Sequence, residues 1–194
     1  MNTESFLLEQ KEDKKMGMWF FIAAEVVIFA SLFGVYLTLR SHTDGGPSPK
    51  EMFELNGVMV STVLLLSSSF TIYIASHAAE GRQASKTSVY LSLTLVLAGI
   101  FLFMEGKELL HYYEKGYEMQ NSSFLSAFYL LVVTHGAHVA AGCIWMALLL
   151  IHLKMKGPGR QVQSKLAVFS LYWHFVDLVW VLIFTLVYLY GKVG

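Results

Sequence analysis

Gly17–Arg40 reads GMWFFIAAEVVIFASLFGVYLTLR, and the rest of the chain has to be built around it. Glu25 is the only charged residue between Gly17 and Arg40. At about 1.5 Å rise per residue, a helix of this length crosses a hydrocarbon core roughly 30 Å thick. Glu25 then lies about 12 Å along the helix from Gly17. A carboxylate at that depth is expensive, so it must be protonated, paired, or turned towards a protein or water-lined interior. The plainer alternative is a glutamate that snorkels to the interface. Glutamate is a short snorkeler, however, and Trp19, Phe20 and Phe21 already mark the interfacial end of the helix. The stretch therefore predicts a structured intramembrane site whose partners come from other helices.

The remaining sequence agrees with a membrane solvent. Of 194 residues 55% are hydrophobic and only 14% charged, with a mean hydropathy of +0.53, which is a polytopic membrane composition and not that of a soluble domain. Fourteen basic against fourteen acidic residues argue against nucleic acid as a partner. The single cysteine, Cys143, lies inside an apolar run and reads as a small packing residue. Five apolar segments, approximately 17–40, 55–79, 88–110, 124–152 and 166–190, predict an all-α bundle of five transmembrane helices. Their connections, 41–54, 80–87, 111–123 and 153–165, are too short for an extramembrane domain, so residues 16–194 read as one domain. Met1–Lys15 is of mixed charge and reads as a solvated tail. It is not a signal peptide, because the run that follows is too long, contains Glu25 and lacks a small-residue cleavage site. Basic residues set the orientation. Lys11, Lys14, Lys15, Arg82, Lys86, Lys154, Lys156, Arg160 and Lys165 fall on one side, against Arg40, Lys50, Lys107, Lys115 and Lys192 on the other. That bias predicts the N-terminus inside and the C-terminus outside.

Polar residues within the apolar segments carry the chemistry. The second segment holds Ser61, Thr62, Ser67, Ser68, Ser69 and Thr71, read as small residues that let helices approach closely. His77, beside Glu80 and Arg82, reads as interfacial. At the end of the third segment Glu105, Glu108 and His111 recur every three residues on one face. Glu108–His111 has the Glu-x-x-His spacing of di-iron bundles, but such sites need two of these motifs and two further glutamates. The segment reads instead as a charged outer helix end, with Tyr112, Tyr113 and Tyr117 in the aromatic belt. In the fourth segment, THGAHVAAGC, His135 and His138 lie one turn apart and are expected to point the same way, within a smooth surface made by Gly136, Ala137, Ala140, Ala141 and Gly142. Two such histidines can begin a metal or haem site, and equally can bond to hydroxyls or carboxylates within a bundle. The fifth segment, LYWHFVDLVWVLIF, sets His174 and Asp177 on one face, a second intramembrane acid beside a histidine. Counting about 1.5 Å per residue, Glu25, His138, His174 and Asp177 fall at a similar depth in the inner half of the bilayer, which predicts a proton-handling or strongly hydrogen-bonded cluster.

Four stretches, GMWFFIAAEVVIF, SSSFTIYIASHAAEGR, SAFYLLVVTHGAHVAAG and YWHFVDLVWVLIFTLVY, in this order and spanning Gly17 to Tyr190 almost completely, resemble subunit III of haem-copper terminal oxidases, cytochrome c oxidase above all. The resemblance implies an all-helical, non-redox subunit of a bacterial plasma-membrane complex. Haem and copper would reside in partner subunits, with this chain packed against subunit I, in the company of subunit II, holding phospholipid and supporting proton uptake and endurance in turnover. It implies that Glu25 is the carbodiimide-reactive membrane glutamate and that His138 faces it. It places Lys15 where relatives carry an arginine that contacts lipid phosphate; lysine lacks the bidentate fork. Many members have seven helices, and this chain matches the last five. Two other readings stand beside it: subunit III of a quinol oxidase or an accessory protein of a nitric oxide reductase, and an independent proton-coupled transporter built on Glu25, His138 and Asp177. The transporter reading suffers from the absence of repeat symmetry or broken helices in the sequence.

Overall fold

A computed structural model describes the backbone of residues 3–193 and the side chains from Lys15 onward. Most of the segment expected to be a solvated tail lies outside the described side chains; its backbone continues the first helix back to Thr3. The helices are α1 (Thr3–Leu39), a short α2 (Pro49–Met52), α3 (Leu55–Glu80), α4 (Ala84–Glu114), α5 (Ser123–Lys156), α6 (Arg160–Ile183), a π-helical turn (Phe184–Leu189) and α7 (Tyr190–Val193). The last three run on as one span, so among the described residues five helices are long and apolar enough to cross a membrane. A helix satisfies its own backbone hydrogen bonds, which is why it is the form an open chain takes in hydrocarbon. The five predicted segments are all present. Their ends extend beyond the apolar runs, because polar residues of the interface continue the helical ladder.

Helix α6 is the hub. It packs on α1, α3 and α5, while α4 completes the bundle against α3 and α5. Two indoles fasten the hub: Trp173 Nε1–H donates to Ser68 Oγ and Trp180 Nε1–H to Thr62 Oγ1, both at 3.0 Å. Thr71 and Thr94 join α3 to α4 through a hydroxyl pair at 2.8 Å. The hydroxyls of α3 are therefore bonding groups as well as small ones, a role their spacing did not reveal. A buried indole N–H needs an acceptor, and a neighbouring helix with serine and threonine supplies it. Close approach also needs Gly142. A Cβ there would stand 2.6 Å from Trp173 Cζ3 and 3.0 Å from Cε3.

The 41–54 connection, read from sequence as a simple link, plugs the bundle's end. Phe53 is fully buried among Phe124, Phe128 and Tyr188. The connection also caps α5: the Asp44 carboxylate accepts from Ser123 N–H at 3.3 Å, and the His42 carbonyl from Phe124 N–H at 3.2 Å. Ser122 Oγ accepts from Leu125 N–H, so three of the orphan donors of the first turn are satisfied. Within the connection, the Ser48 backbone N–H and hydroxyl hold the Glu51 carboxyl below the usual carboxylate range. Gly191 lets the C-terminal turn meet this plug, since a Cβ there would lie 2.9 Å from Phe53 Cε2.

Candidate functional site

Glu25 and His138 meet directly. His138 Nε2 lies 3.0 Å from Glu25 Oε2, joining α1 to α5, and both side chains are mostly buried. The other imidazole nitrogen, Nδ1, lies 2.7 Å from the Thr134 carbonyl oxygen. A carbonyl can only accept, so Nδ1 carries hydrogen. A neutral imidazole in that tautomer offers a lone pair at Nε2. The Nε2···Oε2 contact is attractive only with a proton between the two atoms, held either as carboxylic acid with imidazole or as carboxylate with imidazolium. The pair thus holds one exchangeable proton and no net charge, the arrangement that a low-dielectric setting tolerates best. Phe29 closes one side, its ring edge-on to His138 at 5.1 Å. From α6, the Tyr172 hydroxyl donates to the His138 carbonyl at 2.9 Å and fixes this turn of α5.

His174 and Asp177 form a second, separate site. The Ser69 hydroxyl on α3 donates to Asp177 Oδ2, and Ser69 Oγ lies 3.1 Å from His174 Nδ1. Tyr172 and His174 are roughly 200° apart around α6, so the two sites occupy opposite flanks of that helix. The expected cluster of Glu25, His138, His174 and Asp177 is therefore corrected to two pairs: similar depth does not bring together side chains that leave a helix in different directions. Asp177 is buried, whereas His174, expected to be a buried polar group, is exposed on the outer surface of the bundle.

His135 departs from expectation as well. It does not share His138's direction, being displaced by about 60° around the helix. It is fully buried, stacked at 5.3 Å on Trp180 and edge-on to Phe101, with neither ring nitrogen hydrogen-bonded. Its role here is aromatic packing in the core. Lys15 is half-buried near the start of the first span. His77 stands exposed, 3.7 Å from Glu80, at the end of α3.

A third polar constellation was not foreseen. Glu105, expected at a charged outer helix end, is buried and accepts from the Tyr188 hydroxyl at 3.2 Å; among the described residues its Oε2 has no partner. One turn on, Glu108 accepts from Tyr112 at 2.5 Å. Tyr188 sits within the π-helical turn, whose wider winding shifts the register of side chains beyond it. The usable sequence signal was Glu105 alone, which lies deeper in the apolar run than Lys107 and Glu108. Among the described residues, no three His, Cys, Asp or Glu converge as metal ligands.

Fold and site together define a multi-pass helical membrane protein in which Glu25, Glu105 and Asp177 each bond to a residue of another helix. The family model for cytochrome c oxidase subunit III matches residues 8–192, and the chain belongs to that family. It is 43% identical to a cytochrome c oxidase subunit 3 of Bacillus sp. (strain PS3), over 94% of this chain and 88% of the relative. It is likewise 43% identical to a quinol oxidase subunit 3 of Bacillus subtilis (strain 168), over 92% of this chain and 88% of the relative. A cytochrome c oxidase subunit 3 from the same B. subtilis strain is 44% identical over 98% of this chain and 92% of its own length. The chain is a subunit III of a haem-copper terminal oxidase, part of aerobic respiration, and has other oxidase subunits as its partners.

Proposed function

We propose that this chain is the non-redox subunit of its oxidase, packed mainly on subunit I and also associated with subunit II, and that it stabilises subunit I and supports proton uptake during turnover. The observation that carries this reading is the Glu25–His138 pair, which holds one proton between two helices at membrane depth. Such a pair can pass its proton between carboxyl and imidazole without placing net charge in hydrocarbon. In this reading haem and copper are ligated by the partner subunits, and this chain binds none. The bias of basic residues in the tail and loops supports an N-terminus inside a bacterial plasma membrane. Lys15 is suited to a phospholipid headgroup as a point donor. Relatives named for cytochrome c and for quinol match this chain equally well, as expected if the electron donor is chosen by other subunits.

The test is selective removal of this subunit from the purified oxidase. The haem spectrum should be unchanged and initial activity near normal, with activity then decaying faster during sustained turnover. Metal analysis of the separated chain should find no stoichiometric iron or copper. Haem lost together with the subunit, or metal retained by it, would refute the supporting role.

A further inference from the structure

We infer that the face of α3 and α6 around His174 docks against a transmembrane helix of another oxidase subunit, which donates a hydrogen bond to the outward nitrogen of His174. The inference rests on the reading of the chain as a subunit of that complex, and adds where one contact falls and what chemistry it uses.

Along α6 the residues from Tyr172 to Trp180 are buried except for His174 and Leu178, one turn apart. On α3 the neighbouring Leu66, Phe70 and Tyr73 are exposed. His174 lies about 12 Å along the helix from Leu166, well inside the hydrocarbon. Four hydroxyl groups at exposed or partly exposed positions of the spans satisfy themselves. Ser31 donates to the Val27 carbonyl, Thr38 to Gly34, Ser67 to Val63 and Thr185 to Val181, at 2.6–2.8 Å. Such residues can face lipid with no outside help.

An imidazole can turn one N–H back to its own helix, as His138 Nδ1 does to Thr134, but no backbone carbonyl can satisfy the lone pair of its other nitrogen. Ser69 has one hydroxyl hydrogen, and it goes to Asp177 Oδ2. Towards His174, Ser69 Oγ must therefore accept, which places hydrogen on His174 Nδ1. A neutral ring then carries a lone pair on Nε2, on the side away from Ser69. Lipid tails supply no donor, and an unsatisfied polar group in hydrocarbon is costly. The tautomer accordingly selects the occupant: a protein helix offering a hydroxyl, indole or amide N–H at this depth, packed on Leu178, Leu66 and Tyr73.

A photo-crosslinking side chain placed at Leu178 in the assembled complex tests this, with the same label at the equally exposed Ile144 on α5 for comparison. The label at 178 should capture a haem-bearing subunit in several-fold higher yield than the label at 144. Capture of lipid alone at 178, or of the subunit only from 144, would overturn the docking face while leaving the oxidase assignment intact. A chain that purifies with no haem-bearing partner at all would fail that assignment first and this inference with it. Independently, Leu178→Trp should lower retention of the subunit in detergent several-fold relative to Ile144→Trp, since it obstructs the face without touching Ser69, His174 or Asp177. Equal retention of the two variants would also overturn the proposal.

Discussion

Replacing Glu25 by glutamine and by leucine distinguishes the two ways in which its pair with His138 can hold a proton. Nδ1 of His138 is committed to the Thr134 carbonyl, so the partner of Nε2 must bring a hydrogen or remove one. If the shared proton rests on Glu25, glutamine reproduces the contact, because its amide N–H donates to the same lone pair. Loss of stability should then stay within about 1 kcal/mol, the ordinary net value of one neutral hydrogen bond. Leucine removes the donor and leaves Nε2 unpaired in a mostly buried place, which costs about 1–3 kcal/mol. For a chain of this size, each 1 kcal/mol corresponds to about 2–4 °C in the unfolding midpoint. If instead the pair were carboxylate and imidazolium, either substitution would strand or neutralise a buried cation, and breaking a buried ion pair costs about 3–5 kcal/mol. The carboxylic-acid arrangement is the expectation, because apolar residues flank Glu25 on both sides along α1. Thermal unfolding of the assembled oxidase, followed by release of this subunit, reads the difference. An infrared carbonyl band of a protonated acid should be present in the wild type and absent in Glu25→Gln. A glutamine variant as damaged as the leucine variant, together with no such band in the wild type, would refute the neutral-pair reasoning.

A hydrophobic carbodiimide should modify this chain chiefly at Glu25, and Glu25→Gln should abolish the labelling. Assembled Glu25→Gln complex should still reduce oxygen, with a modest change in endurance; complete loss would mean that the carboxyl lies on an obligatory path. Gly142→Ala should destabilise the subunit by about 1–3 kcal/mol, because the new methyl meets a buried Trp173 ring pinned by its bond to Ser68; a midpoint equal to wild type would show that α5 and α6 can part freely. Tyr188→Phe should cost about 1–3 kcal/mol by removing the hydrogen bond that Tyr188 donates to the buried Glu105 carboxyl. Glu105→Gln should be milder, and the reverse order in thermal unfolding would exclude Tyr188 as the donor.

Much of this protein was legible in the chain itself. Long apolar runs must become helices in hydrocarbon, since no other open segment can satisfy its backbone there, so the five spans followed from composition and length. Glu25 and Asp177 stood out for the same reason: an acid has no cheap place in such a run. What the sequence could not supply was direction around each helix axis. Depth put Glu25, His138, His174 and Asp177 on one level, but only packing separates His138, turned to α1, from His174, held by Ser69 on the far flank of α6. The same holds for Glu105. Tyr188, in the π-helical turn, donates to it and packs on Phe53, and these contacts join segments distant in sequence. Hydropathy fixes how far a residue lies along the membrane normal; which neighbour it meets is decided by interdigitation of side chains, a property of pairs of helices and not of either one alone.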